Sequence, residues 1–176
     1  MKKQIIIFSS LLILTIFIIF FISQKNKNFS FNELQIEELN LSTSDNCKME
    51  KYETNEYNSL SEYFSCNYTV NELKDTWIFV EIKKFENRED LENTYQYESS
   101  HLFGSKGLLS ENELGEKSRF RVSSDDDYGA EFNPKGVYFY HLWICKGNYL
   151  IHITSKGEKE AGEYVKKIGQ KIISNI

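Results

Sequence analysis

Thirteen consecutive residues, HLWICKGNYLIHI at 141–153, hold two of the protein's three histidines and one of its three cysteines. Imidazole and thiolate groups are common zinc ligands and common partners in nucleophilic catalysis. Spacing therefore decides what His141, Cys145 and His152 can do. Gly147 and Asn148 form a two-residue turn signal between alternating apolar runs, the pattern of a β-hairpin with a primed turn. That turn pairs Lys146 with Tyr149, Ile144 with Ile151 and Leu142 with Ile153 on one face. It pairs Cys145 with Leu150, Trp143 with His152 and His141 with Thr154 on the other. A slip of one residue would mix the two sets.

In this register His141 and Cys145 lie roughly 13 Å apart along one strand, whereas zinc takes its ligands about 2.0–2.3 Å from a single centre. His152 is diagonal to both and reaches one of them at a time. A Cys145–His152 nucleophile pair would sit about 7–8 Å apart at the backbone, with no carboxylate close in sequence to orient the imidazole. The expected role of all three is architectural, with no catalytic residue, no metal and no cofactor. The chain also lacks a G-x-S-x-G elbow, a phosphate loop and a dinucleotide fingerprint. Carboxylates are abundant, so the alternative to a non-catalytic protein is an envelope hydrolase that uses an acidic pair.

The same strand alternation puts Trp77, Phe79, Phe139 and Trp143 on the second face of the sheet. Open together, these aromatics would form a binding surface for a protein or small-molecule partner. Covered by residues 31–54 or by a second copy of the chain in a homodimer, they would be structural. Covering is the expected arrangement. Cys47 and Cys66 flank the turn-like TNEYNS stretch. If residues 48–54 pair with 62–70, the two cysteines face one another and can bridge in an oxidising compartment, leaving Cys145 as a buried thiol.

Around these residues the chain reads as one domain with an appendage. Residues 5–22, IIIFSSLLILTIFIIFFI, carry no charge, and as a helix they would span about 27 Å, against a bilayer core of roughly 30 Å. Residues 1–23 are expected to be a transmembrane anchor, with a cleaved signal peptide as the alternative. Residues 24–30 then form a polar tether, and residues 31–176 a single extracytoplasmic α+β domain, held at the cell membrane by one pass or secreted. The four lysines of residues 1–30 leave the remainder at a net charge of −9. Such an acidic domain is a poor partner for nucleic acid, whose binding rests on neutralising phosphates.

Within the domain, EYFSCNYTV and TWIFVEIKKF alternate as strands. A helix should begin after Asn87, a good N-cap, with Leu91 and Tyr95 on its inner stripe and Gly104 at its end. SRFRV and the 136–155 hairpin add strands. The closing helix carries the clearest stripe, Ala161, Val165, Ile168 and Ile172, and Ser155 and Glu158 have the spacing of a capping box before it. The expected class is α+β: a transmembrane helix, then a mainly antiparallel sheet with both helices on one face.

With WIFVEIKKF, GEKSRFRV, KGNYLIHI and YVKKIGQKI in view, residues 60–176 resemble the membrane-anchored ectodomains of bacteria and archaea that carry a PsbP- or Mog1-like α+β layer. The resemblance implies a small layered fold without a shared catalytic motif, and it carries over no functional position.

Overall fold

The computed structural model describes residues 39–43, 47–56, 58–101, 107–124 and 134–176. Eight strands form one antiparallel sheet: β1 (Leu41–Thr43), β2 (Lys48–Lys51), β3 (Leu60–Val70), β4 (Trp77–Phe85), β5 (Leu108–Glu111), β6 (Lys117–Ser123), β7 (Tyr138–Lys146) and β8 (Tyr149–Gly157). Their order is β1-β3-β4-β8-β7-β6-β5, with β2 also paired to β3. Helix α1 spans Arg88–His101 and α2 spans Ala161–Asn175.

The β7–β8 hairpin takes the register that its alternation predicts, with Trp143 opposite His152 and Cys145 opposite Leu150. Gly147 turns the chain at φ 54°, a conformation that costs glycine nothing and other residues a steric clash. Long-range pairing then sets β4 beside β8, so β3, β4, β8, β7 and β6 form the middle of the sheet.

Helix α2 lies on the face built from Ile78, Val80, Leu142, Ile144, Ile151 and Ile153. Its predicted stripe of Ala161, Val165, Ile168 and Ile172 is fully buried. Gly169 lets it approach closely, since a Cβ there would stand 3.0 Å from the tips of both Ile144 and Leu142. Lys146 donates from β7 to the carbonyl of Ile173, supplying the C-terminal cation that the helix's own last turn lacks.

Three expectations about this architecture are corrected. The two helices do not share a face: α1 packs Leu91 and Tyr95 against Phe85, Trp143, Cys145 and Leu150, on the side opposite α2. The physical reason is that Leu142, Trp143, Ile144 and Cys145 are buried consecutively, so both faces of β7 need a cover. Ser155 and Glu158 do not cap α2. Strand β8 continues to Gly157, with Ser155 opposite Ile78 in the ladder, and Glu158 instead accepts the Lys74 backbone N–H in the β3–β4 turn. Lastly, no helix among the described residues is long and apolar enough to cross a membrane. The expected transmembrane helix falls on residues 1–23, outside the described residues. Among the described residues the fold is thus a mostly antiparallel eight-stranded sheet with one helix on each face. The start of α1 does follow its sequence signal, with the Asn87 side chain accepting the Glu89 N–H at 2.8 Å.

A disulfide joins Cys47 to Cys66. Lys48 lies opposite Ser65, which sets the preceding Cys47 beside Cys66 at the edge of the sheet. Strand β2 is exposed along its whole length, so little apolar burial secures it. With the cysteines 19 positions apart, closing that loop should contribute about 3 kcal/mol. Treatment of the oxidised protein with dithiothreitol is expected to lower its urea midpoint by an amount worth about 2–4 kcal/mol. An unchanged midpoint would show that the bridge does not constrain the chain.

Candidate functional site

The face beneath α1 is built of transverse rows that cross β3, β4, β8, β7 and β6 in turn. One row runs Ser65, Glu81, His152, Trp143, Arg119, and the next runs Asn67, Phe79, Thr154, His141, Arg121. A third, further from the β7–β8 turn, runs Thr69, Trp77, Lys156, Phe139, Ser123. Strand alternation sends all of these side chains to the same side.

Across the first two rows runs a chain of hydrogen bonds. The Tyr63 hydroxyl donates to Glu81 Oε1 at 2.7 Å. His152 Nδ1 meets Glu81 Oε2 at 3.1 Å, and its Nε2 lies 3.3 Å from His141 Nδ1. Burial by itself would raise the Glu81 pKa, but hydrogen bonds from His152 and Tyr63, with the nearby Lys83 charge, outweigh it and hold the carboxyl below its ordinary value. A carboxylate only accepts, so the His152 proton sits on Nδ1. Burial, then the hydrogen bond to Glu81, pushes Tyr63 up to about 12. Burial, then the neighbouring His152, pushes His141 down to about 3. Both imidazole rings stack with the Trp143 indole, at centroid distances of 4.6 Å for His152 and 5.4 Å for His141.

Helix α1 covers the part of this face nearest the β7–β8 turn. Trp143 is fully buried beneath it. Glu98 pairs with Lys83. Arg119 donates to the Ser99 and Ser100 hydroxyls, and Arg121 Nε donates to the Ser99 carbonyl at 3.1 Å. The third row lies beyond these contacts. Trp77 there is 41% exposed and Phe139 is half-buried, as is the adjacent Phe79 of the second row. The Lys156 ammonium stands 5.7 Å from the centre of the Phe139 ring. Adjoining this row, a groove of about 740 Å³ is lined by Thr69, Leu73, Trp77, Val137 and Lys156 among others.

The four aromatics placed on the second face are therefore divided. Trp77, Phe79 and Phe139 share the open end of the face, and Trp143 is core. The cover is α1, a segment the sequence reading did not assign to this face. The described parts of residues 31–54 extend the sheet edge as β1 and β2.

The histidines and Cys145 do not form the pairs that would make a nucleophile. His152 commits one nitrogen to Glu81 and the other to His141, and burial pushes the Cys145 thiol up to about 12, which keeps it protonated and unreactive. Among the described residues, no group of three or more His, Cys, Asp or Glu is arranged to hold a metal ion.

Sequence reasoning missed Glu81 as the orienting carboxylate because it lies 71 residues from His152. Its one available signal was the alternation that set it on the same face as Trp77 and Phe79. Comparison with known proteins assigns the chain to no family: no protein-family model matches it, and no curated protein matches it.

Proposed function

We propose that this protein is an exported, non-catalytic binding domain that holds a partner or small ligand on the open end of its second sheet face, over Trp77, Phe79 and Phe139. The carrying observation is the 41% exposure of the Trp77 indole beside a groove of about 740 Å³, on a face whose other half a helix closes. Aromatic side chains give large contact area with little rotamer freedom to lose, and concave apolar sites with a few polar groups are the usual form of ligand pockets. Lys156 supplies a cation at the edge of the platform. The polar chain behind it favours scaffolding over catalysis, since each member is occupied by another and none faces an activated nucleophile.

Export is supported by the Cys47–Cys66 bridge, because such bonds persist in oxidising compartments, and by the uncharged run at residues 5–22, which the export machinery and the membrane can engage. Maleimide mass-tagging of denatured protein from freshly lysed cells is expected to label Cys145 alone. Three tags per chain would place the protein in a reducing compartment and overturn export. Carbonate washing of membranes then separates a membrane-held form from a released one.

The binding face is tested with 8-anilinonaphthalene-1-sulfonate, whose aromatic rings and anionic group match Trp77 and Lys156. Saturable binding is expected to shield Trp77 from iodide quenching. Trp77→Ala should weaken the dye at least tenfold while leaving the urea midpoint in place. Equal binding by Trp77→Ala and the parent protein would remove the platform from the site.

A further inference from the structure

The His141–His152 contact joins β7 to β8 beside Trp143, the indole that α1 covers. Two imidazole nitrogens 3.3 Å apart hold one hydrogen between them. Protonation of both rings would place two N–H groups head to head and two positive charges in contact. We propose that this pair is an acid-sensitive latch: with one hydrogen between its rings it keeps the α1-covered face shut, and protonation of both rings opens that face locally while the rest of the fold persists.

The surroundings bias the latch in this direction. His152 leans on Glu81 of β4, whose second oxygen is held by Tyr63 of β3, so both oxygens of that carboxylate are engaged. From β6, Arg121 stands opposite His141, and Arg119, opposite Trp143, is paired with Glu111 of β5. Lys83 of β4 pairs with Glu98 of α1 and Lys117 of β6 pairs with Glu92 of α1, while Lys156 of β8 adds a positive charge to the third row. Burial, then the charge of its neighbour, already holds His141 down to about 3 in the closed state, so the open state gains the proton first as pH falls.

Opening is transmitted by stacking. Both imidazoles lie against Trp143, and Trp143 shares one cluster with Leu91 and Tyr95 of α1 and with Cys145. Separation of the rings removes the support under that cluster and admits solvent to Cys145, the free cysteine among the described residues.

Cys145 is the reporter. Its labelling rate with 4,4′-dithiodipyridine, which reacts in acid, is divided by the rate of the urea-unfolded protein at the same pH to give the fraction open. With one additional proton taken up on opening, that fraction should rise about tenfold per pH unit between about pH 6 and pH 3, with far-UV circular dichroism unchanged. In His141→Gln the rise should vanish. Should that variant fail to fold, His152→Gln removes the same contact from the other side. A pH-independent labelling rate, an equal slope in the glutamine variant, or labelling that increases only where the circular dichroism signal is lost would each overturn the latch.

Discussion

Replacing Trp143 by alanine is expected to lower stability by about 3–5 kcal/mol, the usual range for deleting a large buried aromatic side chain, read as a fall in the urea midpoint. The indole is fully buried between the sheet and α1. It also carries the two stacked imidazoles, so truncation opens a cavity and unseats the polar chain together. Against a typical total of about 5–15 kcal/mol, the variant keeps only part of its margin. Trp77→Ala, at the exposed end of the same face, should stay within about 0.5 kcal/mol of the parent. Were Trp77→Ala the costlier of the two, the assignment of Trp143 to the core and Trp77 to the surface would be reversed.

Acid should weaken the fold through His141. In the folded protein burial, then His152, hold this imidazole to about 3, against 6.5 ordinarily. The unfolded chain therefore takes up the proton first. The stability that neutral His141 contributes is complete above about pH 6.5, declines as pH falls, and is exhausted near pH 3. The gap sets an upper limit of about 5 kcal/mol. Urea midpoints of the parent and His141→Gln, measured from pH 7.5 to pH 4, should converge or cross as pH falls, because the variant lacks the proton-binding site. Parallel curves would show that acid sensitivity comes from other groups. This prediction concerns global unfolding, whereas Cys145 labelling reads local opening; the two separate a latch from a general loss of stability.

The division between Trp77 and Trp143 shows how far the linear chain goes. Alternation put both on the second face of the sheet, and there it stopped, because period two gives a side and not a cover. The hairpin register was readable in full, since a two-residue turn and adjacent aliphatic pairs fix it over a few residues. The α2 stripe was readable for the same reason: Ala161, Val165, Ile168 and Ile172 define one face through spacing alone. The two-sided burial of β7 was visible as the unbroken run LWIC, which is not the mark of a strand with one wet face, and it calls for a helix on each side.

What the residues determined by themselves is local: the strands β3, β4, β6, β7 and β8, the turn at Gly147, the inner stripe of α2, and the opposition of Cys47 and Cys66 once their segments pair. Tertiary structure decided the rest. It set β4 beside β8 and so brought Glu81 to His152, placed α1 over Trp143 while leaving Trp77 open, and drew Ser155 into the ladder instead of a helix cap. Side chains two to four positions apart constrain one another at little entropic cost, and their pattern is written in the chain. Contacts across 71 residues form only when burial of whole faces outweighs the entropy of closing the loop between them, and that balance belongs to the assembled sheet.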